Sequence, residues 1–182
     1  DAARGFSFVD VCSKRYDVVL MNPPYGGVTE RMATYLKLNF LEGKNDIFLP
    51  FVERGIGLGA DGGLFGALTS RNFMFNQRMA NFRKDFLLTK GVLALLADLG
   101  NNVLDAAVDV AAFTLCKGTN HAKSSAQSVF FNMVNSASRS NDLLNDIEAI
   151  SDAIRRPRVF QRPISFFFML PGKIDCLLTS SC

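Results

Sequence analysis

The four residues Asn22-Pro23-Pro24-Tyr25 constrain the fold of this chain more than any other stretch. They follow the run Tyr16-Asp17-Val18-Val19-Leu20-Met21, in which apolar residues are adjacent rather than alternating with polar ones. Such a run is typical of a strand that is buried on both faces of a parallel sheet. Two consecutive prolines cannot continue a strand ladder or a helix interior, so the chain must leave the sheet at Asn22. We therefore expect a stiff loop at the carboxyl end of a strand, where open α/β sheets bind their ligands.

Strands and helices are predicted to alternate after this loop, which indicates a parallel sheet with helices on its faces. The predicted elements are helices over 28–40, 46–56, 75–89 and 141–154, and strands over 64–69, 92–97, 108–116 and 128–134. Residues 6–9 are expected to be extended, and Pro50 is expected in the first turn of its helix. The strands at 92–97 and 108–116 are joined by only about ten residues, fewer than a parallel crossover needs, so we expect them to be antiparallel.

Composition narrows the class of protein. The chain has 182 residues, of which 48% are hydrophobic, and this suits one globular domain with a core. A net charge of +3 permits a nucleic-acid partner without requiring one. The single histidine, His121, argues against most histidine-based metal and triad chemistry, and we predict no metal site. No stretch of about 18 apolar residues is present, so no membrane partner is predicted. The cysteines lack a CxxC pair and are read as free thiols of a cytoplasmic protein; they are Cys12, Cys116, Cys176 and Cys182.

The motif and the segments after it resemble a known family. The stretch from Tyr16 to Gly27 resembles the catalytic motif of S-adenosylmethionine-dependent amino-group methyltransferases, in particular the N6-adenine-specific DNA methyltransferases. Three later segments are similar to the next helix, strand and hairpin of restriction–modification adenine methylases, namely 45–54, 62–70 and 98–115. Residues 162–172 are similar to a segment of the large adenine methylases of BREX phage-defence systems.

The resemblance implies an α/β fold: the C-terminal part of a Rossmann-like methyltransferase domain, with a mostly parallel sheet and a final antiparallel hairpin. We assign residues 1–118 to a partial catalytic domain and residues 119–182 to the start of a C-terminal extension or target-recognition region. The family binds its cofactor, S-adenosyl-L-methionine, through a Gly-rich loop after its first strand, and no such loop precedes the motif here. The glycines at 55–59 are expected to end a helix instead. We therefore expect a fragment that is inactive alone and lacks much of the cofactor site.

The chemistry of amino-group methylation explains the residue types of the motif. The N6 nitrogen of adenine is a poor nucleophile because its lone pair is delocalised into the ring. The side-chain oxygen of Asn22 and the backbone carbonyl of Pro23 can accept its two N–H groups and favour a more pyramidal nitrogen. The Tyr25 ring can stack on an adenine that has been flipped out of the duplex. No strong base is required, because the methylated nitrogen becomes acidic and loses its proton to water.

The resemblance implies roles for three further residues. Phe51 matches an aromatic residue that contacts the cofactor adenine in the family. Leu104 matches an aromatic residue that packs on the flipped base, although leucine can offer apolar contact but no stacking. Pro24 is placed with Leu104 among the substrate-binding residues.

Two groups of basic residues are candidates for contact with DNA phosphates. The first is interpreted as a solvated helix face, with phosphate contact as the alternative; it comprises Arg71, Arg78, Arg83, Lys84 and Lys90. The second is a candidate DNA-facing linker and comprises Arg155, Arg156 and Arg158.

The predicted activity is site-specific transfer of a methyl group to N6 of a flipped adenine in DNA, with restriction or phage-defence subunits as candidate partners. Three alternatives stay open at this point: a protein-glutamine N5 methyltransferase, an RNA adenine methyltransferase, and a non-catalytic fragment for DNA binding or assembly. The helix and hairpin that follow the motif argue against the glutamine class.

Overall fold

The structure, a computed structural model, describes residues 2–40, 46–104, 108–118, 126–152, 154 and 156–163. The helices are α1 (Ala2–Ser13), α2 (Glu30–Asn39), α3 (Phe48–Leu58), α4 (Asn72–Phe75), a 3-10 turn (Gln77–Met79), a π-helix (Phe82–Leu87), α5 (Leu88–Lys90) and α6 (Arg139–Ser151). The strands are β1 (Tyr16–Met21), β2 (Gly59–Ser70), β3 (Gly91–Gly100), β4 (Val110–Lys117), β5 (Gln127–Asn132) and β6 (Val159–Pro163).

The described strands form one six-stranded sheet in the order β1-β2-β4-β3-β5-β6. β1 is parallel to β2, and β3 is parallel to β5. β4 lies antiparallel between β2 and β3, while β6 is antiparallel to β5. Strands β1, β2, β3 and β5 therefore share one direction, and the expected mostly parallel α/β sheet with an antiparallel β3–β4 hairpin is confirmed. β5 and β6 extend this sheet beyond residue 118, and the division at that residue stays a prediction.

α3, α4 and the π-helix pack on one face of the sheet. Phe48 of α3, Phe73 of α4 and Phe113 of β4 are buried in this core, with ring centroids 5.5–6.4 Å apart for the contacting pairs. Gly55 of α3 faces β1 and β2, and a Cβ at this position would displace the ends of the Met21 and Phe65 side chains. α3 therefore packs directly against the strand that carries the motif.

The other face is covered in part by α6. Leu143 and Ile150 of this helix pack against a cluster of buried residues from β3, β4, β5 and the residue after β5. That cluster comprises Ala97, Leu99, Val110, Phe131 and Met133. The face therefore has its own small core, which lies beneath the β3–β4 connection.

Three local predictions are wrong. Residues 6–9 lie within α1 rather than in an extended segment. β1 is not buried on both faces, because Val18 and Leu20 are 54% and 76% exposed on the face opposite α3. Within the described sheet β1 pairs with β2 alone, so it lies at an edge. The single helix predicted over 75–89 is instead a 3-10 turn, a π-helix and a short α-helix.

Arg83 lies in the π-helix of this interrupted stretch. Its side chain is only 4% exposed and donates hydrogen bonds to the carbonyl oxygens of Phe73 and Asn76, at 2.6 and 2.9 Å. Burial lowers the pKa of this guanidinium. The interpretation of Arg83 as part of a solvated helix face is therefore wrong.

The prediction of free thiols can be compared with the structure at two of the four cysteines. Cys12 and Cys116 are free thiols, whereas Cys176 and Cys182 lie outside the described residues. Among the helices that the structure describes, none combines the length and the apolar character needed to cross a bilayer.

Candidate active site

The loop of Asn22, Pro23, Pro24 and Tyr25 leaves the sheet at the carboxyl end of β1, as predicted. Pro23 is buried, while Asn22 and Pro24 are exposed. After the loop, the Gly26 carbonyl accepts a hydrogen bond of 3.2 Å from the backbone N–H of Ile47, which lies immediately before α3. The loop is thus held at its own prolines and at the start of the next core helix.

Tyr25 connects the loop to the neighbouring strand. Its hydroxyl lies 3.1 Å from Oδ1 of Asn22 and 3.3 Å from the carbonyl oxygen of Leu68 in β2. Burial raises the pKa of Tyr25, so the phenol stays protonated and can donate at neutral pH. The Asn22 oxygen has two lone pairs, so it can accept from Tyr25 and from a substrate amino group together. The structure therefore presents an exposed, oriented acceptor at the end of β1.

A network of charged residues lies beside the loop, at the carboxyl ends of the parallel strands. Arg71 follows directly after β2, and its guanidinium Nη2 is 2.5 Å from a carboxylate oxygen of Asp98 in β3. Nη1 of Arg71 is 3.4 Å from Asp109, which precedes β4. The Arg71 guanidinium also lies 4.6 Å from the centre of the Phe75 ring. Three strand ends are therefore joined through one side chain.

Asp98 is the buried member of this network. Its side chain is fully buried, and it accepts a hydrogen bond of 3.2 Å from the backbone N–H of Gly100. Burial raises the pKa of Asp98, and the charge of Arg71 opposes that increase. The predicted strand over 92–97 ends just before this aspartate, whereas β3 continues to Gly100 and includes it. A single carboxylate that follows an apolar run is a signal for a cationic partner.

The two residues assigned from the resemblance lie in different places. Leu104 follows β3 and is half-buried against the small core beneath α6. Phe51 lies on α3 with 45% of its surface exposed, although most of its apolar neighbours on that helix are buried. It lines a cleft of about 450 Å³ between α2 and α3, together with Tyr35 and Phe40. Part of the Phe51 ring is therefore left outside the core and is accessible from the cleft.

The second basic group has a structural role where it is described. Arg158 pairs with Asp142 at 2.9 Å and with buried Asp146 at 3.2 Å, both on α6. Arg156 lies 3.9 Å from Asp146. Arg155 lies outside the described residues. Arg156 and Arg158 therefore bind the chain to α6, which their assignment to a DNA-facing linker did not anticipate.

The architecture is shared with solved structures of restriction–modification enzymes. The type IIG restriction endonuclease BpuSI has a TM-score of 0.63 and 22% identity, covering 87% of this chain and 21% of its own. The type ISP restriction-modification enzyme LlaBIII, solved bound to DNA, also has a TM-score of 0.63, with 14% identity, covering 86% of this chain and 12% of its own. At these identities the likeness shows the fold.

Sequence comparison identifies the family. An adenine-specific methyltransferase, BrxX of Escherichia coli O9:H4 (strain HS), is 24% identical over 168 residues. The match covers 88% of this chain and 14% of BrxX, so the chain spans a small part of that relative. The sequence model of the Eco57I restriction-modification methylase family matches residues 1–104, which is more than half of the chain. The chain belongs to the Eco57I restriction-modification methylase family.

Proposed function

We propose that this chain forms the target-adenine side of a DNA methyltransferase that transfers a methyl group from S-adenosyl-L-methionine to N6 of adenine. The observation that carries the proposal is the Asn22 side-chain oxygen, which is exposed at the end of β1 and oriented by the Tyr25 hydroxyl. An acceptor in this position can accept a hydrogen bond from the N–H of an incoming amino group with one lone pair. The second lone pair accepts from the Tyr25 hydroxyl, which keeps the Asn22 side chain oriented. Membership of the restriction-modification methylase family supports the same chemistry.

Each motif residue has a distinct part in the proposed reaction. Asn22 and the carbonyl of Pro23 accept the amino hydrogens of the target adenine. The prolines keep these acceptors in place, since a proline ring fixes φ and Pro23 is buried. Tyr25 offers a ring for stacking, and Pro24 and Leu104 offer apolar contact to the extruded base. The cost of extruding that base is offset by these contacts.

Phe51 is the candidate contact for the cofactor. S-adenosyl-L-methionine carries an adenine ring, which needs an apolar surface, and the cleft of Tyr35, Phe40 and half-exposed Phe51 provides one. When bound, the cofactor supplies the methyl group on its sulfonium. The residues of this chain would hold the adenine ring, while the acceptors at Asn22 act on the other substrate.

The proposed partners follow from the family. Proteins similar to this chain include an adenine-specific methyltransferase, a restriction endonuclease and an enzyme solved bound to DNA. We propose DNA as the substrate, restriction or phage-defence subunits as further partners, and the cytoplasm as the location. The rival substrates, RNA adenine and a protein glutamine amide, present the same planar nitrogen and are separated by experiment.

The experiment uses the longest natural polypeptide that contains these 182 residues. It is incubated with S-adenosyl-L-methionine labelled in the methyl group and, separately, with duplex DNA, RNA and a glutamine-bearing protein. The proposal predicts label in DNA and not in the other two substrates. Label in RNA or in protein with none in DNA would show that DNA is not the substrate. Absence of label in all three would contradict the proposed methyltransferase activity.

A further inference from the structure

Arg71, which directly follows β2, contacts three side chains. Its guanidinium pairs with Asp98 at 2.5 Å and with Asp109 at 3.4 Å, and it lies on the face of the Phe75 ring. Its backbone N–H donates a hydrogen bond of 2.9 Å to the carbonyl oxygen of Asp109. One residue thus binds Asp109 through both its side chain and its backbone.

These contacts fall on the two ends of the β3–β4 connection. Asp98 stands near the end of β3, before Leu104, and Asp109 stands directly before β4. Arg71 therefore attaches both described ends of this connection to the end of β2. Leu104 stands six residues after Asp98 in the sequence, so the attachment at Asp98 limits how far Leu104 can lie from the end of β2.

The same end of β2 also holds the motif. Three residues before Arg71, the Leu68 carbonyl accepts from the Tyr25 hydroxyl. The Asn22–Tyr25 loop and the described ends of the β3–β4 connection are consequently attached to one short stretch at the end of β2, from Leu68 in the strand to Arg71 directly after it. A displacement of either attachment changes the separation between the two segments.

Stability alone does not explain a buried ion pair at this place. Replacing such a pair with apolar residues of similar volume is often neutral or stabilising, since both charges must be desolvated. Asp98 is fully buried, and Arg71 is 21% exposed, so the pair bears that desolvation cost. What the apolar replacement would lose is directionality, because a guanidinium fork fixes two carboxylates in a defined geometry.

We propose that Arg71 is a positioning residue for the target base: through Asp98 it sets Leu104, which follows β3, relative to the Asn22–Tyr25 loop so that an extruded adenine is held between Leu104 and the loop. This inference rests on the proposed function. Arg71 does not touch the reacting atoms in this account, and its effect passes through the two segments that it joins.

The test compares two duplexes that carry a site methylated by the wild-type protein. They differ only at the position opposite the target adenine, which is a thymine in one duplex and an abasic site in the other. Extrusion is easiest for an unpaired base, so the second duplex depends less on the residues that retain it. Single-turnover rates on both duplexes give a ratio that a general loss of folded protein would not change.

Three variants and one control are measured in the longest natural polypeptide. Arg71→Ala removes the fork, Arg71→Lys keeps the charge without it, and the double variant Arg71→Met/Asp98→Leu removes both buried charges so that folding is retained. Arg15→Ala serves as the control. It removes an exposed arginine at the amino end of β1, whereas the motif and Arg71 lie at the carboxyl ends of β1 and β2. Thermal melting of each protein is recorded alongside the rates.

The inference predicts a selective loss. Arg71→Ala and the double variant should transfer methyl to the paired adenine about 10- to 100-fold more slowly, because the contacts that retain the extruded base offset the cost of unpairing it. Their rates on the unpaired adenine should fall by no more than about threefold, since extrusion is already favoured there. Arg71→Lys should lie between these variants and the wild type, and Arg15→Ala should match the wild type.

Two results would overturn the inference in distinguishable ways. If the wild type methylates DNA and the double variant slows both duplexes equally or neither, positioning by Arg71 is refuted and the proposed function stands. If the wild type methylates no DNA site at all, the proposed function fails, and this inference fails with it.

Discussion

Replacing Tyr25 by phenylalanine and by alanine separates the work of its hydroxyl from that of its ring. The hydroxyl has one proton to share between Asn22 Oδ1 at 3.1 Å and the Leu68 carbonyl at 3.3 Å. Both distances exceed the roughly 2.7–2.8 Å that is usual for O–H···O bonds. A net contribution of about 1 kcal/mol is therefore expected from the hydroxyl. In the rate of methyl transfer, that is about a fivefold loss for Tyr25→Phe.

Tyr25→Ala also removes the ring on which the extruded base would stack. Stacking of a base on an aromatic side chain contributes about 1–3 kcal/mol. Added to the hydroxyl, the total of about 2–4 kcal/mol corresponds to a rate loss of about 30- to 900-fold. The alanine variant should thus be much slower than the phenylalanine variant.

The assay is single-turnover transfer of labelled methyl groups to DNA by the longest natural polypeptide. Tyr16→Phe is a matched control, because it also removes a tyrosine hydroxyl that donates to a backbone carbonyl, at 2.8 Å, but at the amino end of β1. This control should retain the wild-type rate. If Tyr25→Phe proves as slow as Tyr25→Ala, the ring makes no contact with the base and the stacking argument is refuted.

Three further substitutions have expected outcomes. Phe51→Ala should raise KM for S-adenosyl-L-methionine by about tenfold with kcat unchanged, as loss of uniform binding does, and a change in kcat alone would argue against cofactor contact. Arg83→Met leaves two backbone carbonyls without their donor and should lower the free energy of unfolding in urea by about 2–4 kcal/mol. An unchanged midpoint of the urea transition would show that these hydrogen bonds do not stabilise the fold. The Ser136 hydrogen bond and Arg158 hold the pKa of Asp142 below its usual range, so this carboxylate contributes stability above about pH 4 that is lost as pH falls through the lowered pKa. Ser136→Ala should therefore melt below the wild type at pH 6, with a gap that narrows towards pH 3, and a constant gap would contradict the linkage.

The loop after β1 and the antiparallel direction of the β3–β4 pair could be predicted because their causes are local. Two prolines end a strand whatever surrounds them, and a short connection between strands forces an antiparallel pair. The turn chemistry around Asn22 and the β3–β4 hairpin were therefore predicted correctly from the sequence.

The errors arose where distant residues decide the outcome. An apolar run such as Val18 to Leu20 does not reveal which neighbours will cover it, and within the described sheet one face of β1 is exposed. Arg71 and Asp98 are 27 residues apart, so no local pattern pairs them. Arg83 likewise donates to the carbonyls of Phe73 and Asn76, which are 10 and 7 residues away, and an amphipathic helix pattern does not predict such pairs.

The most direct test of the central claim identifies the methylated atom and its dependence on Asn22. The longest natural polypeptide, as wild type and as Asn22→Ala, is incubated with DNA and S-adenosyl-L-methionine, and the DNA is digested to nucleosides for mass spectrometry. The account predicts N6-methyldeoxyadenosine with the wild type and at least about a hundredfold less with Asn22→Ala, which lacks the oriented acceptor. A wild-type product methylated only at another atom, or an Asn22→Ala protein as active as the wild type, would contradict it.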